Sequence, residues 1–190
     1  MPAATPKPEL RRMARQMRRA MPAWRRRRAA LRIARLAPRV PALRRGHRVA
    51  LYLAAGFELD TAALITTLRR HGFTPFVPVV CGSALRFAPL APVYRRHALG
   101  MLQPESRVRL PVRAMHCVLI PLLAFDAGGR RLGQGGGFYD RTLAHCGRWP
   151  HRVGLAFAAQ QLARLPADAH DVPLHAVLTE RGYRHFFDRP

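Results

Sequence analysis

The sequence predicts an α/β domain: a mostly parallel central sheet flanked by helices in a three-layer sandwich, as a single domain with a helical N-terminus. Three observations predict it. Short apolar runs of strand length alternate with segments of helical periodicity from residue 47 onward. One of these runs, Cys117 to Phe125, is continuously apolar, as in a parallel strand buried on both faces. A chain of 190 residues, 49% of them hydrophobic, suffices for one core; about 70% of the unfolded surface is buried at this size. Residues 1–46 form the basic helical part of this one domain and 47–190 its α/β core.

The elements follow in order. Leu10, Met13, Met17 and Met21 recur at spacings of three and four, with arginines on the other faces, which reads as an amphipathic helix packed through its Met stripe. A second helix runs from Pro22 to Leu36, with Pro22 at its first turn and Pro38 closing it. Val49 to Leu53 is a buried strand. The helix after it is capped by Asp60 or Thr61 and stopped by Gly72. Phe73 to Val80 is the next strand, and Pro75 and Pro78 argue for an edge or interrupted one. Prolines break residues 81 to 113 into short pieces without an evident order. After the Cys117–Phe125 run come a glycine-rich turn, a helix from Phe138 to Cys146, a strand from Arg152 to Phe157 and a last strand from Ala176 to Thr179.

The net charge is +23, carried by 32 Arg and one Lys against 10 acids. Residues 1–48 hold +15 of it and the remainder +8. Such a field attracts nucleic acid, anionic lipid or phosphorylated metabolites without choosing among them. Three cysteines without a CxxC pair fit a reducing compartment. No apolar run reaches transmembrane length and the first residues lack the pattern of a secretory signal, so the expected location is the cytoplasm, with no membrane partner. The Arg-rich, acid-poor start also matches an organellar transit peptide, and that alternative stays open.

The chemistry concentrates between Phe125 and Arg141. Glycines at the junction of a buried strand and a helix let successive N–H groups turn toward one anion, and the helix adds its positive end. Arg131 and Arg141 are placed to neutralise phosphate oxygens. The spacing is not that of a Walker loop, and the same glycines suit an ordinary surface turn. Asp140 is open to two roles, a magnesium ligand beside bound phosphates or a first-turn acid facing the helix dipole. No HxH, HExxH or GxSxG pattern supports a zinc site or a serine triad.

Pro121 to Arg141 resembles the hallmark P-x-x-A-F-D-x-x-G-x-R-L-G-x-G-x-G-x-Y-D-R of the 5-formyltetrahydrofolate cyclo-ligase (methenyltetrahydrofolate synthetase) family, with its spacing intact. Supporting pieces occur in order: Lys7-Pro8-Glu9-Leu10-Arg11, Glu58-Leu59-Asp60-Thr61, Gln103-Pro104, and Asp171 ahead of Val177-Leu178-Thr179-Glu180. The resemblance implies a single cyclo-ligase-like domain. It also implies an ATP- and magnesium-dependent closure of 5-formyltetrahydrofolate to 5,10-methenyltetrahydrofolate, with release of ADP and phosphate, through phosphorylation of the formyl oxygen.

Carried over by position, the resemblance gives ATP to Lys7, Pro8, Glu9, Leu10 and Arg11 and to Arg131, Leu132, Gly133, Gln134, Gly135, Gly136, Gly137, Phe138 and Tyr139. It gives magnesium to Asp140 and Asp171, and folate to Arg11, Ala55, Asp60 and the Gln134–Phe138 stretch, with Glu58 a further carboxylate facing the pterin. Lys7, Arg11, Arg131, Tyr139 and Asp140 are the implied catalytic set. His116 stands where the family commonly has Asp, and Gln134 fills a variable slot; both bear on folate affinity rather than on phosphate or metal binding. The expected partners are ATP and 5-formyltetrahydrofolate, for a monomer without a specific nucleic-acid partner. Two other classes remain as alternatives: an arginine-rich nucleic-acid-binding module, and an ATP-using enzyme of this fold with another substrate.

Overall fold

A computed structural model describes residues 5–44, 48–98 and 100–186. The expected boundary at 46/47 lies outside them. Helices α1 (Lys7–Ala20), α2 (Ala23–Leu36) and the single turn α3 (Pro41–Arg44) precede strand β1 (Arg48–Ala50) and helix α4 (Ala62–Arg70). Strands β2 (Thr74–Cys81), β3 (Ala84–Pro89), β4 (Tyr94–Arg96), β5 (Leu102–Pro104), β6 (Cys117–Pro121), β7 (Ala124–Phe125) and β8 (Arg131–Leu132) follow. Helix α5 (Phe138–Leu143) and strands β9 (His151–Leu155), β10 (Ala176–Thr179) and β11 (Gly182–His185) complete the chain.

Seven strands form the central sheet in the order β11-β10-β9-β6-β1-β2-β3. The five inner strands pair in parallel; β11 and β3 are antiparallel edges. Alternation along β6 sends Cys117 and Leu119 to one face, against Ile33, Leu64 and Leu68 of α2 and α4, and Val118 and Ile120 to the other, with Leu143 of α5. These are the three expected layers. Among the described residues no helix is long and apolar enough to cross a membrane, and all three cysteines are free thiols.

Four local expectations are corrected. Strand β2 lies inside the sheet despite its prolines. Its Phe76 carbonyl accepts from Leu51 N–H at 2.9 Å, so Pro75 turns its nitrogen toward β3 before that ladder begins, and Pro78 turns its own toward β1 beyond the last residue that pairs there. The Cys117–Phe125 run is two strands. Buried Gln160 donates to the carbonyls of Leu122 and Leu123 at 2.8 and 2.9 Å, which lets the chain leave the sheet there without orphaned acceptors. Beyond β10 a further strand, β11, closes the edge through a turn at Gly182.

Helix α1 departs from the expected Met stripe at Met13, although Leu10 and Met21 of that stripe do pack on the core. Met13 is 53% exposed, whereas Ala14 and Arg18 are buried and Lys7 and Arg11 are partly covered. Leu10 and Ala14 pack on Leu123, Ala124, Leu132 and Leu165 near the C-terminal ends of the parallel strands. The cationic face therefore turns toward the glycine loop.

Candidate functional site

The site is assembled at that sheet edge from three segments: α1, the 52–60 connection between β1 and α4, and the glycine loop between β8 and α5. Asp126, 3% exposed, organises the turn that leads into β8. Its carboxylate accepts from the N–H groups of Gly128, Arg130 and Leu165 at 2.9 to 3.1 Å. Strand β8 then delivers Arg131, and the loop Gly133–Gly137 ends on α5. Gly135 and Gly137 have φ of +107° and +66°, a region that side chains reach only with strain.

The loop is tied at both ends. Arg131, its side chain 5% exposed, places Nη2 at 2.7 Å from Asp140 Oδ1, which also accepts from Val172 N–H at 3.0 Å. Arg141 does not face outward as a free phosphate ligand. Its Nη2 donates to the Gly136 carbonyl at 2.7 Å, its Nε donates to the Ser83 carbonyl at 2.6 Å, and its guanidinium lies over the Phe138 ring.

Helix α1 lies across this loop. Arg11 Nε donates to the Gly133 carbonyl at 3.1 Å, and Arg15 donates to the Gln134 backbone carbonyl at 3.1 Å and its side-chain oxygen at 3.3 Å. Pro8 sits in the helix's first turn with Glu9, which is exposed. Lys7 Nζ lies between two carboxylates, 2.6 Å from Asp171 Oδ2 and 2.7 Å from Asp168 Oδ2. Burial opposes the charge on Lys7, but these partners outweigh it and raise its pKa. Asp171 likewise feels burial, and the Lys7 ammonium with the Asp168 N–H holds it below the ordinary carboxylate value.

The 52–60 connection closes the third side. Glu58 Oε2 accepts from Ala55 N–H at 3.1 Å, while its Oε1 is 3.5 Å from Gln134 Nε2. Thr61 caps the Tyr52 carbonyl, and the Tyr52 hydroxyl donates to Leu59 O at 3.1 Å. Burial, with Glu58 adding to it, pushes both the Tyr52 and the Tyr139 hydroxyls above the ordinary phenol range, so both remain protonated donors. Asp60 is exposed and accepts from Ala62 N–H at 2.9 Å as the start of α4, the capping role its position allowed.

The structure thus brings Lys7, Arg11, Glu58, Arg131–Asp140 and Asp171 into one region. Asp140 accepts from the N–H of Val172, the residue after Asp171, but Asp171 shares its cluster of ligand atoms with Asp168 and His170 and not with Asp140. Three residues of this region escaped the sequence reading. Asp168 shares Lys7 with Asp171, and together with His170 it presents ligand atoms within 4.8 Å of one another. Arg15 clasps Gln134. Arg18, read from the sequence as part of a solvated face, is 6% exposed. The available signal was its spacing of seven from Arg11 and eleven from Lys7, which puts all three on one helix face.

Residues 3–180 match the model of the 5-formyltetrahydrofolate cyclo-ligase family. A 5-formyltetrahydrofolate cyclo-ligase of Escherichia coli K12 is 39% identical over 145 residues, covering 70% of this chain and 78% of that protein. One from Haemophilus influenzae is 36% identical over 147 residues, covering 71% and 76%. The solved structure of Aquifex aeolicus 5,10-methenyltetrahydrofolate synthetase superimposes with a TM-score of 0.84 at 28% identity, covering 97% of this chain and 94% of that one.

Proposed function

The chain belongs to the 5-formyltetrahydrofolate cyclo-ligase family, and from that premise we propose that this enzyme spends ATP to close 5-formyltetrahydrofolate to 5,10-methenyltetrahydrofolate, acting in the cytoplasm as a monomer. One observation carries the site assignment: α1 lies across the glycine loop, with Arg11 bonded to the Gly133 carbonyl and Lys7 to Asp171.

The formyl oxygen is a poor leaving group. Transfer of the γ-phosphoryl group to it releases ADP; N10 then attacks the formyl carbon and loses its proton, and the C–O bond breaks with departure of phosphate. Phosphoryl transfer asks mainly for position and charge neutralisation. In this reading Arg11 and the Gly133–Gly137 amides hold the phosphates, and Lys7 leaves its carboxylates to join them. Arg131 keeps the loop in shape, and Tyr139 presents a protonated hydroxyl beside it.

Carboxylate oxygens suit magnesium, a hard cation; Asp171 and Asp168, with His170, present ligand atoms within 4.8 Å of one another, while Asp140, the other acid of the proposed pair, has both oxygens turned to Arg131. When bound, that ion would neutralise charge on the transferring phosphate. The purified protein with ATP, magnesium and 5-formyltetrahydrofolate is expected to generate the near-ultraviolet absorbance of the methenyl product. Folded protein that yields none across a range of pH and magnesium overturns the proposal.

A further inference from the structure

A groove of about 410 Å³ is lined by Val79 of β2, Arg95 of β4, Gln103 of β5 and the segment that follows β5. Antiparallel pairing sets Arg95 directly opposite Gln103, so both side chains leave the same face of the hairpin. Glu105 pairs with Arg95 there, and Ser106, Arg107 and Arg109 complete the wall.

The groove holds three arginines and one acid, and the acid is taken by Arg95. Arg107 makes no hydrogen bond or ion pair among the described residues. Arg109 donates to the Cys81 sulfur at 3.8 Å, a weak acceptor. Gln103 adds a further donor in want of an oxygen, because its Nε2 is buried and bonded to nothing. A buried N–H group gives up water and needs an acceptor in return. Two guanidinium groups without a carboxylate, beside a buried amide donor without an acceptor, are complementary to a group rich in oxygen and negative charge.

The groove lies at the active end of the sheet. Strand β2 runs parallel to β1, so Cys81 ends it on the side where the glycine loop stands. Two residues further on, the Ser83 carbonyl accepts from Arg141, which also holds the Gly136 carbonyl of that loop. None of the groove's arginines belongs to the proposed catalytic machinery.

We propose that this groove is a second oxyanion site, taking a carboxylate or phosphate group apart from the phosphates held by α1 and the glycine loop. Two sources share that chemistry: the glutamyl carboxylates at the far end of 5-formyltetrahydrofolate, and free phosphate. The volume favours the first, since small organic ligands occupy pockets of about 300–1,000 Å³ and a lone ion fills much less. That source rests on the proposed activity; the oxyanion site itself does not.

The test titrates the isotope-labelled full chain with γ-glutamylglutamate and, separately, with inorganic phosphate, followed by NMR. The Gln103 side-chain amide reads the groove, and the Gly135 and Gly136 N–H groups read the loop. At least one probe is expected to shift the Gln103 amide to saturation. The double variant Arg107→Gln, Arg109→Gln should weaken that binding about tenfold or more. Both arginines are exposed, so the variant should melt with the wild type.

Saturation by the dipeptide alone assigns the groove to the substrate's glutamyl end, and the double variant should then raise the KM for 5-formyltetrahydrofolate about tenfold with kcat unchanged. Saturation by phosphate, with the dipeptide or without it, assigns it to free oxyanions. A Gln103 amide that neither probe moves, or that moves equally in the variant, overturns the inference. Failure to form the methenyl product bears on the proposed activity alone and leaves the oxyanion site standing.

Discussion

Arg131 Nη2 stands 2.7 Å from Asp140 Oδ1, so an ion pair joins the strand before the glycine loop to the helix after it. The Val172 N–H on the same oxygen adds the segment that carries Asp171. Asp140 thereby sets the shape of the loop.

Asp140→Asn should therefore affect both folding and catalysis. A first-turn acid alone is worth about 0.3–1 kcal/mol. Weakening a nearly buried pair costs more, about 3 kcal/mol here, or a melting temperature lower by about 6–12 °C. The cyclisation rate should fall about 10²-fold or more and the magnesium requirement should rise. Thermal unfolding and a magnesium titration of the rate check the two parts. An unchanged melting temperature would mean that the pair with Arg131 contributes little. Asp188, the natural control carboxylate outside every motif, lies outside the described residues.

Gly137→Ala tests the loop's backbone. At φ +66° a side chain costs about 1–2 kcal/mol, and the new Cβ would collide with Arg141 Nη1. Arg141 would lose its hold on the Gly136 and Ser83 carbonyls. The expected result is a matching loss in chemical denaturation and weaker ATP binding by calorimetry; unaltered ATP affinity would show that the nucleotide does not depend on this loop geometry.

Acid should loosen the β11 edge. His151 is partly buried, its ring stacks near His175 and His185, and its Nε2 lies 3.2 Å from the Tyr183 hydroxyl. Burial foremost, then His185 and Arg152, lower its pKa below the ordinary 6.5. The unfolded chain therefore binds a proton first. Stability attached to His151 is full above about pH 6.5 and is lost as pH falls toward the lowered folded value. Melting temperatures from pH 8 to 5 should drop less steeply in His151→Gln; parallel curves would remove His151 from the acid response.

Helix α2 carries six arginines and no acid, and Trp24, 60% exposed, shares a face with Arg27, Arg28, Arg32 and Arg35. Any nucleic-acid binding should run through it, weak, sequence-independent and steeply dependent on salt. Replacing these four arginines with Gln should flatten the slope of log K against log salt, by about one for each phosphate no longer neutralised, and leave cyclisation near wild type. Tight, salt-resistant, sequence-selective binding would contradict this.

The sequence by itself determined the layered α/β architecture, the strand-to-helix glycine loop and the family, because these depend on local periodicity and on residues adjacent along the chain. It located α2 within a residue for the same reason. Partnerships across long separations came only with the tertiary structure. Spacings of three and four mark stripes on α1, but which stripe turns inward depends on what it meets: Ala14 finds Leu123 and Leu132, and Met13 is left outside. Pro78 is tolerated within the sheet because β1 ends short of it. Lys7 and Asp171, 164 residues apart, neutralise each other at 2.6 Å, and Arg18, on the same helix face as Lys7, is buried. Burial and charge pairing are properties of the packed molecule, set by surfaces that no single segment contains.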